Sequence, residues 1–307
     1  MKVFFELPLL KKPCFLAIGN FDGVHLGHQK IIQVLKKRSW YFGLPSAILT
    51  FHPHPEVFFK QNTRMITTLS QRLEVFQGFG LDMVFIMEFN EKVANMEPED
   101  FVKEHLVGLL KAKEIFVGEG FQFGRKRRGN IDLLLEIGKE KGFKVYEVKK
   151  RRDKEGQIIS STFVRKLLAE GRVKEAGELL GRPYEIKGIL ISGLGIARRL
   201  GFPTLNLKPF NEILPKGIFS GYVRIRSKYL PAAIYIGTRP THGGGALTVE
   251  AHILEGKVKA EIGEEVRLVL AEKIRDEKKF CSEKELVAQI FDDLKKIKEV
   301  LKNRLNW

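Results

Sequence analysis

Residues 19–29 read GNFDGVHLGHQ, and the local structure of this stretch decides the fold of the first half of the chain. Before it runs Cys14-Phe15-Leu16-Ala17-Ile18, an apolar segment of strand length. After it, Ile31, Ile32 and Leu35 recur at helical spacing, which predicts a helix over 28–38. His25 and His28 therefore fall where a strand ends and a helix begins. Free backbone N–H groups and the positive end of a helix dipole favour a bound phosphate there. Imidazoles three residues apart reach one cluster of oxygens, and each can donate to charge growing on phosphorus. Two histidines near a turn also suit a structural or metal-binding role. The flanking strand and helix, with Gly27 between the histidines to permit close backbone approach, favour nucleotide chemistry.

Outward from this turn, the first half alternates the two periods. Strands are predicted over 14–18, 47–51, 83–87, 114–117 and 144–148, and helices over 70–79, 98–110 and 131–141. Such alternation implies a parallel sheet flanked by helices, with ligands at the carboxyl ends of the strands. FHPHP (51–55), whose prolines argue against regular structure, and GEGFQFG (118–124) are expected at those ends beside GNFDGVHLGH. RKRR (125–128) follows and reads as a solvated charge run that could attract a substrate phosphate. In ISSTFVRKLLAEG (159–171), Ser160, Ser161 and Thr162 suit a helix start and Gly171 its end. Ser161, Thr162 and Arg165 compose a candidate polyphosphate clamp; an ordinary capped surface helix is the alternative.

From residue 184 the segments alternate with period two and are separated by turn signals, which predicts a small antiparallel barrel. A helix over 282–303 closes it, with capping-box spacing at Ser282 and Glu285. In ISGLGIARRLGFPTLNL (191–207), Gly193 and Gly195 form a loop, Arg198 and Arg199 add charge, and Thr204 and Asn206 share one face of an extended chain. Their oxygens are hard ligands suited to magnesium carrying ATP phosphates; two solvated groups on a strand edge are the alternative. Glu250, in the otherwise apolar LTVEAHIL, either pairs with a cation or serves as general base for a substrate hydroxyl.

The totals bound these readings. At 307 residues the chain has room for two domains, placed at 1–180 and 181–307. It is 44% hydrophobic and 29% charged, the composition of a soluble globular protein. A net charge of +16 selects anionic partners: nucleic acid, ATP, pyrophosphate or a phosphorylated small molecule. Two cysteines, Cys14 and Cys281, provide neither a disulfide framework nor zinc spacing, which suits the cytosol. Lys11, Lys12 and Pro13 interrupt the apolar N-terminus, so no membrane span or signal peptide is expected.

Taken together, GNFDGVHLGHQ, FHPHP, GEGFQFG with RRGN, ISSTFVR, GRPYEIKG, RRLGFPTLNL, PKGIF, IGTRPT with VEAHIL, and IRDEKKF occur in this order. In this the chain resembles the bifunctional bacterial riboflavin kinase/FAD synthetase family over essentially its whole length. The resemblance implies an α/β nucleotidyltransferase (Rossmann-like, parallel sheet) N-terminal domain that joins FMN to the AMP part of ATP. Asn20 and Gly23 would lie against the nucleotide, His25 and His28 would stabilise the α-phosphate, and Ser161, Thr162 and Arg165 would hold the departing phosphates. It implies a C-terminal β-barrel kinase that phosphorylates riboflavin, with Glu250 as base, Thr204 and Asn206 as magnesium ligands, and Gly193 and Arg198 on the ATP side. Riboflavin, FMN and ATP are then the partners and Mg2+ with ATP the cofactor. FMN is the intermediate and FAD the product, and no nucleic acid or membrane is expected. His52, Gly120 and Gln122 depart from the family's usual TFxPHP and GxDFRFG patterns on the flavin side. They leave open a riboflavin kinase with weak or altered adenylyltransferase activity. Ala197 and Leu205 are milder departures. The rivals are an adenylyltransferase for another phosphate-bearing substrate and a basic, flavin-sensing nucleic-acid-binding regulator. The latter lacks a recognition helix, zinc finger or aromatic-rich RNA motif.

Overall fold

The computed structural model describes residues 1–193, 199, 201–238, 247–255 and 260–302. They form two compact units, Met1–Ser161 and Thr162–Trp307.

The first unit is built on a parallel sheet of β1 (Lys2–Phe4), β2 (Cys14–Ile18), β3 (Ser46–His52), β4 (Met83–Glu88), β5 (Ala112–Gly118) and β6 (Lys144–Val148). Their order is β1-β4-β3-β2-β5-β6. β2 pairs in parallel with β3 on one side and β5 on the other, so all five of its residues are buried. Its side chains alternate between two cores. Cys14, Leu16 and Ile18 face one core, Phe15 and Ala17 the other. This is why CFLAI reads as a continuous apolar run rather than an alternating one.

On the Phe15 face lie α1 (Leu26–Phe42), through Ile31, Ile32 and Leu35, and α3 (Leu69–Gly78), through Phe76. The opposite face is covered by α5 (Pro98–Asp100), which continues as a π-helical stretch Phe101–Leu109, and by α6 (Ile131–Lys141). The helix over 98–110 is thus largely π, with the Leu110 N–H bonded to the His105 carbonyl. Two single-turn helices, α2 (Pro55–Phe58) and α4 (Glu91–Ala94), lie on the turns after β3 and β4. FHPHP is more regular than its prolines suggested. β3 runs through His52, His54 caps α2 by accepting from the Glu56 N–H, and Pro55 occupies the first helical position, where no N–H is needed.

The second unit holds α7 (Ser161–Ala169) from Thr162 on, α8 (Val173–Leu180) and six antiparallel strands. These are β7 (Tyr184–Ile191), β8 (Thr204–Pro209), β9 (Gly217–Ile225), β10 (Lys228–Gly237), β11 (Thr248–Ile253) and β12 (Glu265–Arg275). They close into a barrel in the order β10-β11-β8-β7-β12-β9. Leu207, Phe219, Val223, Ile234, Val249 and Leu268 are among its buried residues. Gly221 is required within β9, since a Cβ there would lie 2.1 Å from the Val269 carbonyl oxygen. α9 (Glu283–Lys302) packs Ile297 and Leu301 against Ala271. At its start the Glu285 N–H donates to Ser282 Oγ at 3.2 Å. The Glu285 carboxylate reaches past Ser282 to the Cys281 N–H, so the capping box is shifted by one residue on that side.

Candidate active sites

In the first unit the chain leaves β2 at Gly19 and turns through Phe21, whose φ of 53° is left-handed, into a 3-10 turn Asp22–Val24. Asp22 is buried and holds this turn. Its carboxylate accepts from the Ile66 N–H at 3.1 Å and the Thr67 N–H at 3.4 Å. In return, the Gly23 N–H donates to Thr67 Oγ1. Gly23 itself has φ 75°, and a Cβ on it would press on the Ile66 side chain at 3.0 Å. Both reasons require glycine.

His25 caps α1, accepting on Nδ1 from the His28 N–H at 3.3 Å. The two imidazoles stack, with ring centroids 3.7 Å apart and planes 17° from parallel. Gly27 makes this possible, because a Cβ there would lie 3.0 Å from the His25 ring. Burial, then the neighbouring His25 and Arg72 charges, hold the His28 imidazole well below its ordinary 6.5. His28 is thus a neutral hydrogen-bond donor near pH 7, the state suited to stabilising a developing phosphate charge. Ser161 Oγ donates to the Asp22 carbonyl at 3.0 Å, so a residue 139 positions away reaches the same turn. Thr162, exposed, and Arg165, half-buried, follow on α7.

Beside this turn a cavity of about 380 Å³ opens where β2, β3 and β5 end. Gly19 and Asn20 line it from β2 and Phe51 from β3. Phe59, Phe89 and Phe121 add aromatic walls. Its volume and lining suit a flat aromatic ligand.

In the second unit β8 and β11 pair so that Asn206 faces Glu250 and Thr204 faces His252. Directly opposed residues share a face, so all four lie together. Thr204 Oγ1 donates to the Glu250 carboxylate at 3.4 Å, and Glu250 is 7% exposed. Tyr235 on β10 is Glu250's other cross-strand neighbour, and its hydroxyl donates to Glu277 at 2.7 Å. Gly193 backs onto Asn206, since a Cβ there would lie 2.2 Å from the amide nitrogen. A hydroxyl, an amide oxygen and a carboxylate on one face are a hard-oxygen set that fits magnesium held together with nucleotide phosphates. Among the described residues no cluster of three His, Cys, Asp or Glu could hold a metal by itself. Arg198 lies outside the described residues.

The family model described as FAD synthetase matches residues 8–163, and the one described as riboflavin kinase matches residues 180–301. The bifunctional riboflavin kinase/FMN adenylyltransferase of Escherichia coli (strain K12) is 36% identical over 284 residues, which span 91% of this chain and 90% of that protein. Its counterpart from Buchnera aphidicola subsp. Schizaphis graminum is 35% identical, spanning 92% and 93%. The chain belongs to the bifunctional riboflavin kinase/FMN adenylyltransferase family. It is also similar to a crystal structure from Streptococcus pneumoniae described as a macrolide-efflux protein, with a TM-score of 0.86 at 25% identity, covering 96% of this chain and 98% of that one. Among the described residues no helix is long and apolar enough to cross a membrane.

Two of the departures from the family pattern, Gly120 and Gln122, line the aromatic cavity, whereas His52 is exposed at the end of β3. Sequence reasoning missed Arg72 and Thr50, which both contact the Asn20 carbonyl, and the aromatic walls Phe59 and Phe89. An arginine in an amphipathic helix carries no signal that it is buried. The two phenylalanines lie on connections, where periodicity says nothing.

Proposed function

We propose that this chain converts riboflavin to FMN and FMN to FAD, using ATP in both steps. The observation that carries this reading is the pairing of two distinct phosphate-handling constellations in one chain. One is the stacked His25–His28 pair on a strand-to-helix turn that also bonds Ser161. The other is Glu250 against Thr204 and Asn206 on a barrel face.

For adenylyl transfer, assigned to residues 1–180, an oxygen of the FMN phosphate attacks the α-phosphorus of ATP and pyrophosphate leaves. The attacking phosphate is already an anion, so no side-chain base is required. Positioning and preplaced donors carry the reaction. His25 and His28 stabilise the α-phosphate, Asn20 and Gly23 lie against the nucleotide, and Ser161, Thr162 and Arg165 hold the leaving phosphates. The flavin ring occupies the aromatic cavity.

For the kinase step, assigned to residues 181–307, the riboflavin 5′-hydroxyl attacks the γ-phosphorus of ATP. Glu250 accepts the hydroxyl proton and ADP leaves. Thr204 and Asn206 hold the magnesium that accompanies ATP, which neutralises phosphate charge, and Gly193 and Arg198 lie on the nucleotide side. ATP as substrate and two unbridged cysteines suit a cytosolic enzyme.

Incubation with riboflavin, ATP and magnesium, followed by flavin chromatography, tests the scheme. FMN and then FAD are expected. No FMN would defeat the kinase assignment. FMN without FAD would show that the altered flavin-side residues have cost the second activity.

A further inference from the structure

Arg72 lies in the first turn of α3 and is 5% exposed. Its Nη1 donates to the Asn20 carbonyl at 2.6 Å and comes within 3.5 Å of the Thr50 hydroxyl, which also donates to that carbonyl. Its Nε–H is buried without a hydrogen-bond partner. Among the described residues no carboxylate forms an ion pair with it; Asp22 acts on it only through its field. A buried guanidinium without a contact ion pair is costly: burial pulls its pKa down from 12.5, and the field of Asp22 offsets this only in part. Arg72 is nonetheless aligned with the phosphate-handling turn. Its charge is felt at His28 and His52, which it pushes toward the neutral form. His28 Nδ1 is a second buried nitrogen without a partner. Asn20, clamped by Arg72, lines the cavity.

We propose that Arg72 is a positioning residue for adenylyl transfer: a fixed positive charge beneath the GNFDGVH turn whose counter-charge is the polyphosphate of the bound nucleotide. The inference rests on the reading that this turn binds ATP. The chemistry explains the arrangement. A guanidinium keeps its charge throughout the physiological range, so the site attracts a triphosphate while the His28 imidazole remains free to act as a neutral donor. The same side chain fixes the Asn20 carbonyl, which sets the path of the turn that His25 and His28 follow.

Two substitutions separate charge from mere stapling. Arg72→Lys keeps the charge and one donor; Arg72→Gln keeps a donor without charge. The expected result is that R72K retains kcat/KM for ATP in FAD formation within about tenfold, while R72Q loses about 100-fold, the scale of one preplaced donor to a phosphate charge. Riboflavin phosphorylation by the same preparations stays unchanged. Equal activity of R72Q and R72K would overturn the proposal, because a simple staple predicts it. In the native protein, the Arg72 Nε–H resonance is expected to move on binding α,β-methylene-ATP; an unmoved resonance would overturn the proposal even if both variants failed to fold. Wild-type protein that forms no FAD defeats the underlying reading. Wild-type and R72Q proteins that form FAD equally well defeat only this inference.

Discussion

His25 and His28 lose different things on substitution. On the proposed role of His28 as a donor to the α-phosphate, His28→Ala is expected to lower FAD formation by roughly 10²–10³-fold, with riboflavin phosphorylation unchanged, in parallel assays on one preparation. His25→Ala removes a donor and also the cap of α1, so it adds a stability loss of about 1 kcal/mol, read from denaturant unfolding. His28 further predicts a pH dependence. Its folded pKa lies below 6.5, so the native state binds fewer protons than the unfolded one. Stability is then complete above about pH 6.5 and falls as the pH drops toward the folded value. Burial shifts His52 and His105 in the same direction. Thermal melts from about pH 8 to pH 5 are expected to show a declining midpoint, and His28→Gln should reduce the slope. In the barrel, with Glu250 proposed as the base, Glu250→Gln is expected to lower kinase turnover more than riboflavin or ATP binding, since a base acts in the transition state. The histidine pair was legible from its spacing. That the rings stack was not, because it depends on Gly27 leaving room.

Among the elements, the turn Arg125–Arg127 shows how the backbone sorts a charge run. Glu97 accepts from Arg125 at 3.3 Å and from Arg128 at 3.0 Å. Lys126 and Arg127, with left-handed φ of 52° and 58°, instead line the aromatic cavity. RKRR therefore divides into a paired half and a half facing the cavity. Lys126→Glu with Arg127→Glu is expected to raise KM for FMN about tenfold and flatten its salt dependence, whereas charge reversal at Arg125 and Arg128 leaves both unchanged. Kinetics across a salt series decide between these outcomes. Four adjacent cations look alike in a sequence. Only the turn geometry and an acidic residue 28 positions upstream of Arg125 tell them apart. Gly193 was legible as a loop glycine. The need for glycine there arises from the Asn206 amide, which fills the space a Cβ would take.

For the molecule as a whole, an ion pair between the half-buried Arg275 and the buried Asp293 ties the barrel to its closing helix. Arg275 Nε contacts both Asp293 oxygens at 3.0 and 2.9 Å, and Nη2 adds a third contact at 2.8 Å. Asp293→Leu leaves that guanidinium unpaired and is expected to destabilise the second unit by about 3 kcal/mol. The midpoint for thermal loss of kinase activity should fall while that for FAD formation from FMN holds. Within the amino-acid order itself lay the strand–helix alternation of the first half, the period-two texture of the second, and the junction carrying His25 and His28. Side-chain periodicity and turn chemistry are short-range properties, set by neighbours along the chain. Packing alone determined that Arg72 is buried against the Asn20 carbonyl, that Ser161 reaches Asp22, and that Glu250 meets Thr204. Those contacts join residues 46 or more positions apart, or bury a charge that local rules would leave in water, and they exist only once the sheet and the barrel have closed.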